Sequence, residues 1–106
     1  MVIIESSVFT RVIQELMTDD EYAEFQLALA ERPEMGPVIP GSGGLRKVRW
    51  RLEGRGKRGG VRVIYYWLNE DEQLRMLFAY AKAHQEDLSK AQLDALRAIV
   101  EKWNDG

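Results

Sequence analysis

The sequence predicts an α+β fold: a small, antiparallel-dominated sheet with helices packed on one side, in the order β-α-α-β-β-β-α. Three observations carry this. A short β-branched run is followed by two helical periodicities, each opened by a capping residue. The middle of the chain alternates apolar and basic residues, then turns continuously apolar, with turn residues between. An amphipathic stripe closes it. The chain has 106 residues, the size of one ordinary domain, taken here as 1–106. A sheet backed by helices is the simplest way to bury these stripes.

Each element has its own reason. Residues 2–5 are β-branched apart from Glu5 and open as a strand. Ser7 is the expected cap of a helix whose Phe9, Val12, Ile13 and Leu16 form one stripe. Thr18 and Glu21 have capping-box spacing and open a second helix, with Tyr22, Phe25 and Leu29 on one face. That helix stops before Pro33, which has no N–H to donate. Residues 34–44, with Pro37, Pro40 and Gly41-Ser42-Gly43-Gly44, form a connector. Over 45–52, Val48, Trp50 and Leu52 share one strand face, and Lys47, Arg49 and Arg51 share the other. Residues 54–60 are a basic, glycine-rich turn. Residues 61–68 are apolar on both faces, as in a central strand, apart from Arg62 and the tyrosine hydroxyls. A polar turn at 69–72 leads into a strand over 74–81. Ser89 and Gln92 form a second capping box, and Leu93, Leu96, Val100 and Trp103 give the last helix its apolar face.

Composition removes several function classes. Hydrophobic residues make up 45% and charged residues 30%, which excludes a disordered tail and a membrane protein. Cys is absent, so there is no disulfide scaffold, thiol nucleophile or Cys-bound zinc. The single His84 argues against a His-rich metal site. No secretory signal is visible at Met1-Val2-Ile3-Ile4-Glu5, and the expected location is cytoplasmic. The net charge of −2 hides a strong asymmetry. Over residues 45–62, eight cations (Arg46, Lys47, Arg49, Arg51, Arg55, Lys57, Arg58 and Arg62) face only Glu53. Such a concentrated positive field matters for a polyanionic ligand even in an acidic protein.

Gly54-Arg55-Gly56-Lys57-Arg58-Gly59 spells a dinucleotide fingerprint by letters. A strand follows it rather than the helix whose N-terminus would receive a pyrophosphate, so that reading fails. The glycines allow a tight loop to carry its cations close to a phosphate backbone, or simply make an exposed, solubilising turn. Cations crowded on paired strands repel one another unless an anion sits among them. A nucleic-acid backbone fits, as does an acidic partner protein or a merely solvated face. Arg62, at the start of a buried strand, offers forked donors to a phosphate or a salt bridge to a carboxylate. Tyr65 and Tyr66 can stack on bases or belong to the core. Lys82 and His84 follow the last strand, at the edge where a site could form, and the imidazole is a candidate proton carrier.

The strings Gly43-Gly44-Leu45-Arg46-Lys47-Val48-Arg49, residues 54–66, Tyr80-Ala81-Lys82 and Asp87-Leu88-Ser89 closely resemble the HigB branch of the RelE superfamily, toxins of type II toxin–antitoxin systems. The resemblance implies the RelE-like microbial RNase fold. It also implies a metal- and cofactor-independent endoribonuclease that enters the ribosomal A site, cleaves mRNA and inhibits translation. The implied partners are the ribosome, mRNA and a cognate antitoxin with a helix-turn-helix DNA-binding domain. Operator DNA is reached only through that antitoxin, and no membrane is involved. The implied catalytic set is Arg62, at the scissile phosphate, with Lys47, Lys82 and Lys57. Arg49, Arg51, Arg55, Arg58, Tyr65 and His84 are the expected RNA or phosphate contacts. Ala83 and Leu88 stand where the best-known RelE toxins carry a further arginine and a tyrosine, which leaves leaving-group protonation to His84 or to Lys82 alone.

In this chemistry the RNA 2′-hydroxyl attacks the adjacent phosphate and the 5′-oxygen leaves. The protein orients the chain, neutralises developing charge and moves protons. Two other classes share the basic face: a non-catalytic RNA- or ribosome-binding module, and a toxin-like protein retained only as an antitoxin-interaction partner. Cleavage of mRNA during translation separates the first from a nuclease. Growth arrest reversed by a neighbouring gene product separates the second.

Overall fold

A computed structural model describes residues 1–52 and 59–105, with side chains through Trp103. Its elements are β1 (Val2–Glu5), α1 (Ser7–Leu16), α2 (Asp19–Glu31), β2 (Arg46–Arg51), β3 (Gly60–Leu68), β4 (Gln73–Ala81) and α3 (Lys90–Asp105). The expected order and the α+β class hold. The four strands lie in the order β1-β4-β3-β2, with β1 parallel to β4 and the other pairs antiparallel.

The caps are side-chain hydrogen bonds that replace missing helical partners. The Thr18 hydroxyl accepts from the Glu21 N–H and the Glu21 carboxylate accepts from the Thr18 N–H, at 3.1 and 2.8 Å. Ser89 and Gln92 make the same reciprocal pair. The cap of α1 is Ser6 rather than Ser7. Its hydroxyl accepts from the Phe9 N–H at 3.0 Å and donates to the Leu77 carbonyl, also at 3.0 Å. Ser6 therefore ties α1 to β4 while capping it.

The expectation that the helices share one side of the sheet is corrected. α1 and α2 bury Phe9, Ile13, Phe25 and Leu29 against Val48, Val61, Val63 and Tyr65. α3 buries Leu96 and Val100 on the opposite face, against Leu45, Ile64, Leu77 and Tyr80. β3 is apolar on both faces because each face has its own helical cover.

A bulge sets the phase of β4. Ile64 pairs with Phe78 and Tyr65 with Met76, which leaves Leu77 as the extra residue. Leu77 and Phe78 consequently both pack on the α3 side, while Met76 and Ala79 face α1 and α2. The Ser6 hydroxyl occupies the carbonyl of that extra residue. The bulge shifts every later residue of β4 to the opposite face from the one simple alternation gives.

The connector is fastened to the free edge of β2. The Lys47 N–H donates to Pro37, the Ile39 N–H to Leu45, and the Arg46 guanidinium to Gly36, the last at 2.9 Å. Gly36 is required there: a Cβ would lie 3.0 Å from both the Lys47 backbone and the Tyr65 ring. These bonds fix the strand that carries Lys47 and Arg49.

Candidate active site

Strand register assembles the site. Arg49 pairs with Arg62 across β2 and β3, and Arg62 pairs with Tyr80 across β3 and β4. These three side chains form one row on the α3 face of the sheet. Lys47, two residues before Arg49, lies on the same face. α3 covers the face around Ile64 and Leu77, and the open end holds the basic residues. The segment leaving β4 supplies a further wall. Lys47, Arg49, Arg62, Lys82, Glu86 and Asp87 together line a pocket of about 310 Å³.

Four cations against two carboxylates give this pocket a net charge of +2. Arg62 is its deepest charge, only 9% exposed. Among the described residues its guanidinium has no hydrogen-bond or carboxylate partner, so the salt-bridge reading of Arg62 finds no support there. A buried guanidinium keeps its charge and its forked donors, so an anion is the group that would satisfy it. Gly60 provides the room: a Cβ there would stand 3.3 Å from Nη1 of Arg62 and 3.9 Å from Cβ of Lys82.

Lys47 already holds an anion. Its Nζ donates to Oδ1 of Asp87 at 3.1 Å, with the lysine side chain 19% exposed and the aspartate 70% exposed. The hydrogen bond from Lys47 is the main reason the Asp87 carboxyl is held below its ordinary range, with the Leu88 N–H adding to it. Asp87 thus stands where a phosphate oxygen would find Lys47.

Of the expected site residues, Lys47, Arg49, Arg62 and Lys82 come together in this pocket. Arg51, the last residue of the edge strand, borders a separate pocket with Glu21, Glu24 and Trp50. His84 is exposed and lies outside the basic pocket, in a depression of about 190 Å³ beside Glu15, Gly59 and Gly60. Tyr65 is corrected outright. It is fully buried in the α1/α2 core, its hydroxyl donates to the Pro33 carbonyl at 2.7 Å and accepts from the Gly36 N–H at 3.0 Å, and no base can stack on it. Arg55, Lys57 and Arg58 lie outside the described residues. Sequence reasoning missed Asp87 as a member of the site.

The sequence-family model described as RelE toxin of the RelE/RelB toxin–antitoxin system matches residues 3–105. The chain belongs to the RelE toxin family. Solved structures agree at the level of the fold. A free Escherichia coli RelE double arginine-to-alanine mutant matches with a TM-score of 0.59 at 12% identity, over 80% of this chain and 86% of that one. The isolated E. coli RelE toxin matches at 0.56 and 14% identity, over 92% and 97%. The intact E. coli RelBE toxin–antitoxin complex matches at 0.55 and 13% identity, over 74% and 92%. Membership is thus at the level of the RelE family, and the HigB branch rests on the sequence resemblance alone.

Proposed function

We propose that this RelE-family toxin is a ribosome-dependent endoribonuclease that cleaves mRNA in the cytoplasm. The observation that carries the reading is the buried Arg62, whose guanidinium has no carboxylate partner among the described residues, in a pocket where Arg49, Lys47 and Lys82 converge. Such a pocket suits a phosphodiester whose charge grows during reaction. The 2′-oxygen forms a bond to phosphorus, the bond from phosphorus to the 5′-oxygen breaks, and a 2′,3′-cyclic phosphate results. A base removes the 2′-hydroxyl proton and an acid delivers one to the leaving 5′-oxygen. Lys47 and Lys82 are the pocket amines for these transfers, while Arg62 and Arg49 hold the phosphate. His84 lies outside the pocket and is the weaker candidate for the acid.

Dependence on the ribosome is supported by what the pocket lacks among the described residues. It is lined by charged side chains, and Tyr65, the expected stacking platform, is in the core. A site that grips phosphate without reading bases gains most from a partner that presents the message in a fixed geometry. A cognate antitoxin is the second partner, by extension from the RelBE complex of the E. coli relative.

The test is Arg62→Ala. The soluble, folded variant is expected to lose roughly a hundredfold to a thousandfold in single-turnover mRNA cleavage on ribosomes, the scale of one lost transition-state donor. Parental cleavage by the folded variant removes Arg62 from the mechanism. Absence of cleavage by the parent, with ribosome binding retained, favours the non-catalytic module.

A further inference from the structure

Tyr80 carries a chemical group that its packing does not explain. It is 4% exposed and sits in the cluster under α3 with Leu77, Leu96 and Val100. Its ring lies 6.1 Å from that of Phe78, which serves the same cluster without a hydroxyl. The Tyr80 oxygen is buried and has no hydrogen-bond partner among the described residues. Other buried hydroxyls are satisfied: Ser42 donates to Ile39 and Tyr65 to Pro33. A buried hydroxyl left unpaired costs folding free energy that a phenylalanine would avoid.

Its position gives the oxygen a use. Tyr80 is the cross-strand neighbour of Arg62, and directly opposed residues have their Cβ atoms about 4.5–5.5 Å apart. The β4 bulge is what brings it there, because unbroken alternation from Met76 would turn Tyr80 toward α1 and α2. Bulges near sites commonly re-aim one side chain in this way. The charges that act on the hydroxyl come from Asp87, Arg62 and Arg49, all of which line the pocket. Burial is the main cause that raises the phenol above its usual range, so it stays protonated and able to donate.

We infer that Tyr80 completes the anion site: its hydroxyl is the neutral donor to a phosphate held by Arg62 and Arg49, and the bound phosphate is the acceptor it lacks in the free protein. The inference deepens the nuclease reading, yet phosphate binding can be measured without it. The experiment labels tyrosine at Cζ with ¹³C, whose chemical shift reports hydroxyl hydrogen bonding, and titrates the full chain with inorganic phosphate. Tyr80→Phe assigns the signal. The Tyr80 signal is expected to move on titration in the parent and to stay fixed in Arg62→Ala. Tyr80→Phe is expected to bind phosphate roughly three- to tenfold more weakly, the scale of one hydrogen bond, with a melting temperature in phosphate-free buffer equal to or above the parent's. A fixed Tyr80 signal, unchanged phosphate affinity in Tyr80→Phe, or no phosphate binding by the parent overturns the inference. A moving signal in a protein that cleaves no mRNA on ribosomes leaves it standing and removes the nuclease reading. Cleavage with a fixed Tyr80 signal does the reverse.

Discussion

Asp87→Asn should make this protein bind RNA more tightly, although it breaks an ion pair. The carboxylate lines the basic pocket and occupies Lys47 at 3.1 Å. A backbone phosphate entering the pocket meets that negative charge and competes with it for the lysine. The substitution raises the net charge of the lining residues from +2 to +3. At about 6 Å from the phosphate, with an effective dielectric of about 40–80, one unit charge is worth about 0.7–1.4 kcal/mol. That is about a threefold to tenfold fall in Kd. Freeing Lys47 adds at most ~1 kcal/mol, because exposed pairs are weak. The amide oxygen of asparagine can still accept from the Leu88 N–H, as Asp87 does at 2.9 Å, so the loop keeps its local support. The assay is fluorescence anisotropy with a 2′-O-methyl RNA oligonucleotide, which cannot be cleaved, at low and high salt. The gain should shrink as salt screens the pocket. Unchanged or weaker binding at low salt would show that Asp87 does not compete with phosphate.

The same residue sets a pH signature. Its carboxyl is held below the ordinary value, first by the hydrogen bond from Lys47. A depressed native pKa stabilises the fold above the unfolded value, and the stabilisation is lost as pH falls through the native one. The stability difference between parent and Asp87→Asn should therefore be constant from neutral pH to about 5 and vanish in stronger acid, as urea unfolding would show. Gly60→Ala places a methyl 3.3 Å from Nη1 of Arg62; it should fold, yet weaken phosphate binding severalfold by displacing that guanidinium, and parental affinity would count against Arg62 as the anchor. Tyr65→Phe removes a buried donor to Pro33 and acceptor from Gly36; it should cost about 1–3 kcal/mol in denaturant unfolding and leave phosphate affinity unchanged, whereas lost affinity at parental stability would return Tyr65 to the site.

What could be read from residues alone was mostly local. The Thr18 and Ser89 capping boxes are three-residue spacings, and they form as the spacings require. The split of Val48 and Leu52 from Lys47 and Arg49 follows from strand alternation and holds. The placement of all helices on one side failed although its refutation was legible: a central strand apolar on both faces needs cover on both. Tyr65 was legible too. It stands three residues after Arg62, so in a regular strand the two point to opposite faces, and a residue across from the basic face belongs to the core. Tyr80 was not legible. Its face depends on the bulge at Leu77, which follows from how Ser6, Met76 and the packing of both layers fit together in three dimensions. Asp87 escaped for a similar reason, since its pairing with Lys47 joins segments forty residues apart.

The arrangement also explains how an acidic chain can present the phosphate site proposed for it. Lys47, Arg49 and Arg62 lie on adjacent strands, where like charges repel, and in the described structure the pocket sets only Asp87 and Glu86 against them. The fold tolerates it because each cation is held by something other than its charge. Arg62 lies in a strand whose flanking residues Val61 and Val63 are core, and β2 is laced to the connector through the backbone of Lys47 and the side chain of Arg46. The folding energy of both helical layers thus keeps the guanidinium and the amine in place before any anion arrives. A site built this way does not have to reorganise when charge develops on a phosphate, and preorganisation of that kind is where electrostatic catalysis draws most of its effect. The exposed Asp87 is the exception. It comes from the segment after β4 and makes a weak, solvent-screened contact, so it can give way to a phosphate at small cost while shielding Lys47 until then.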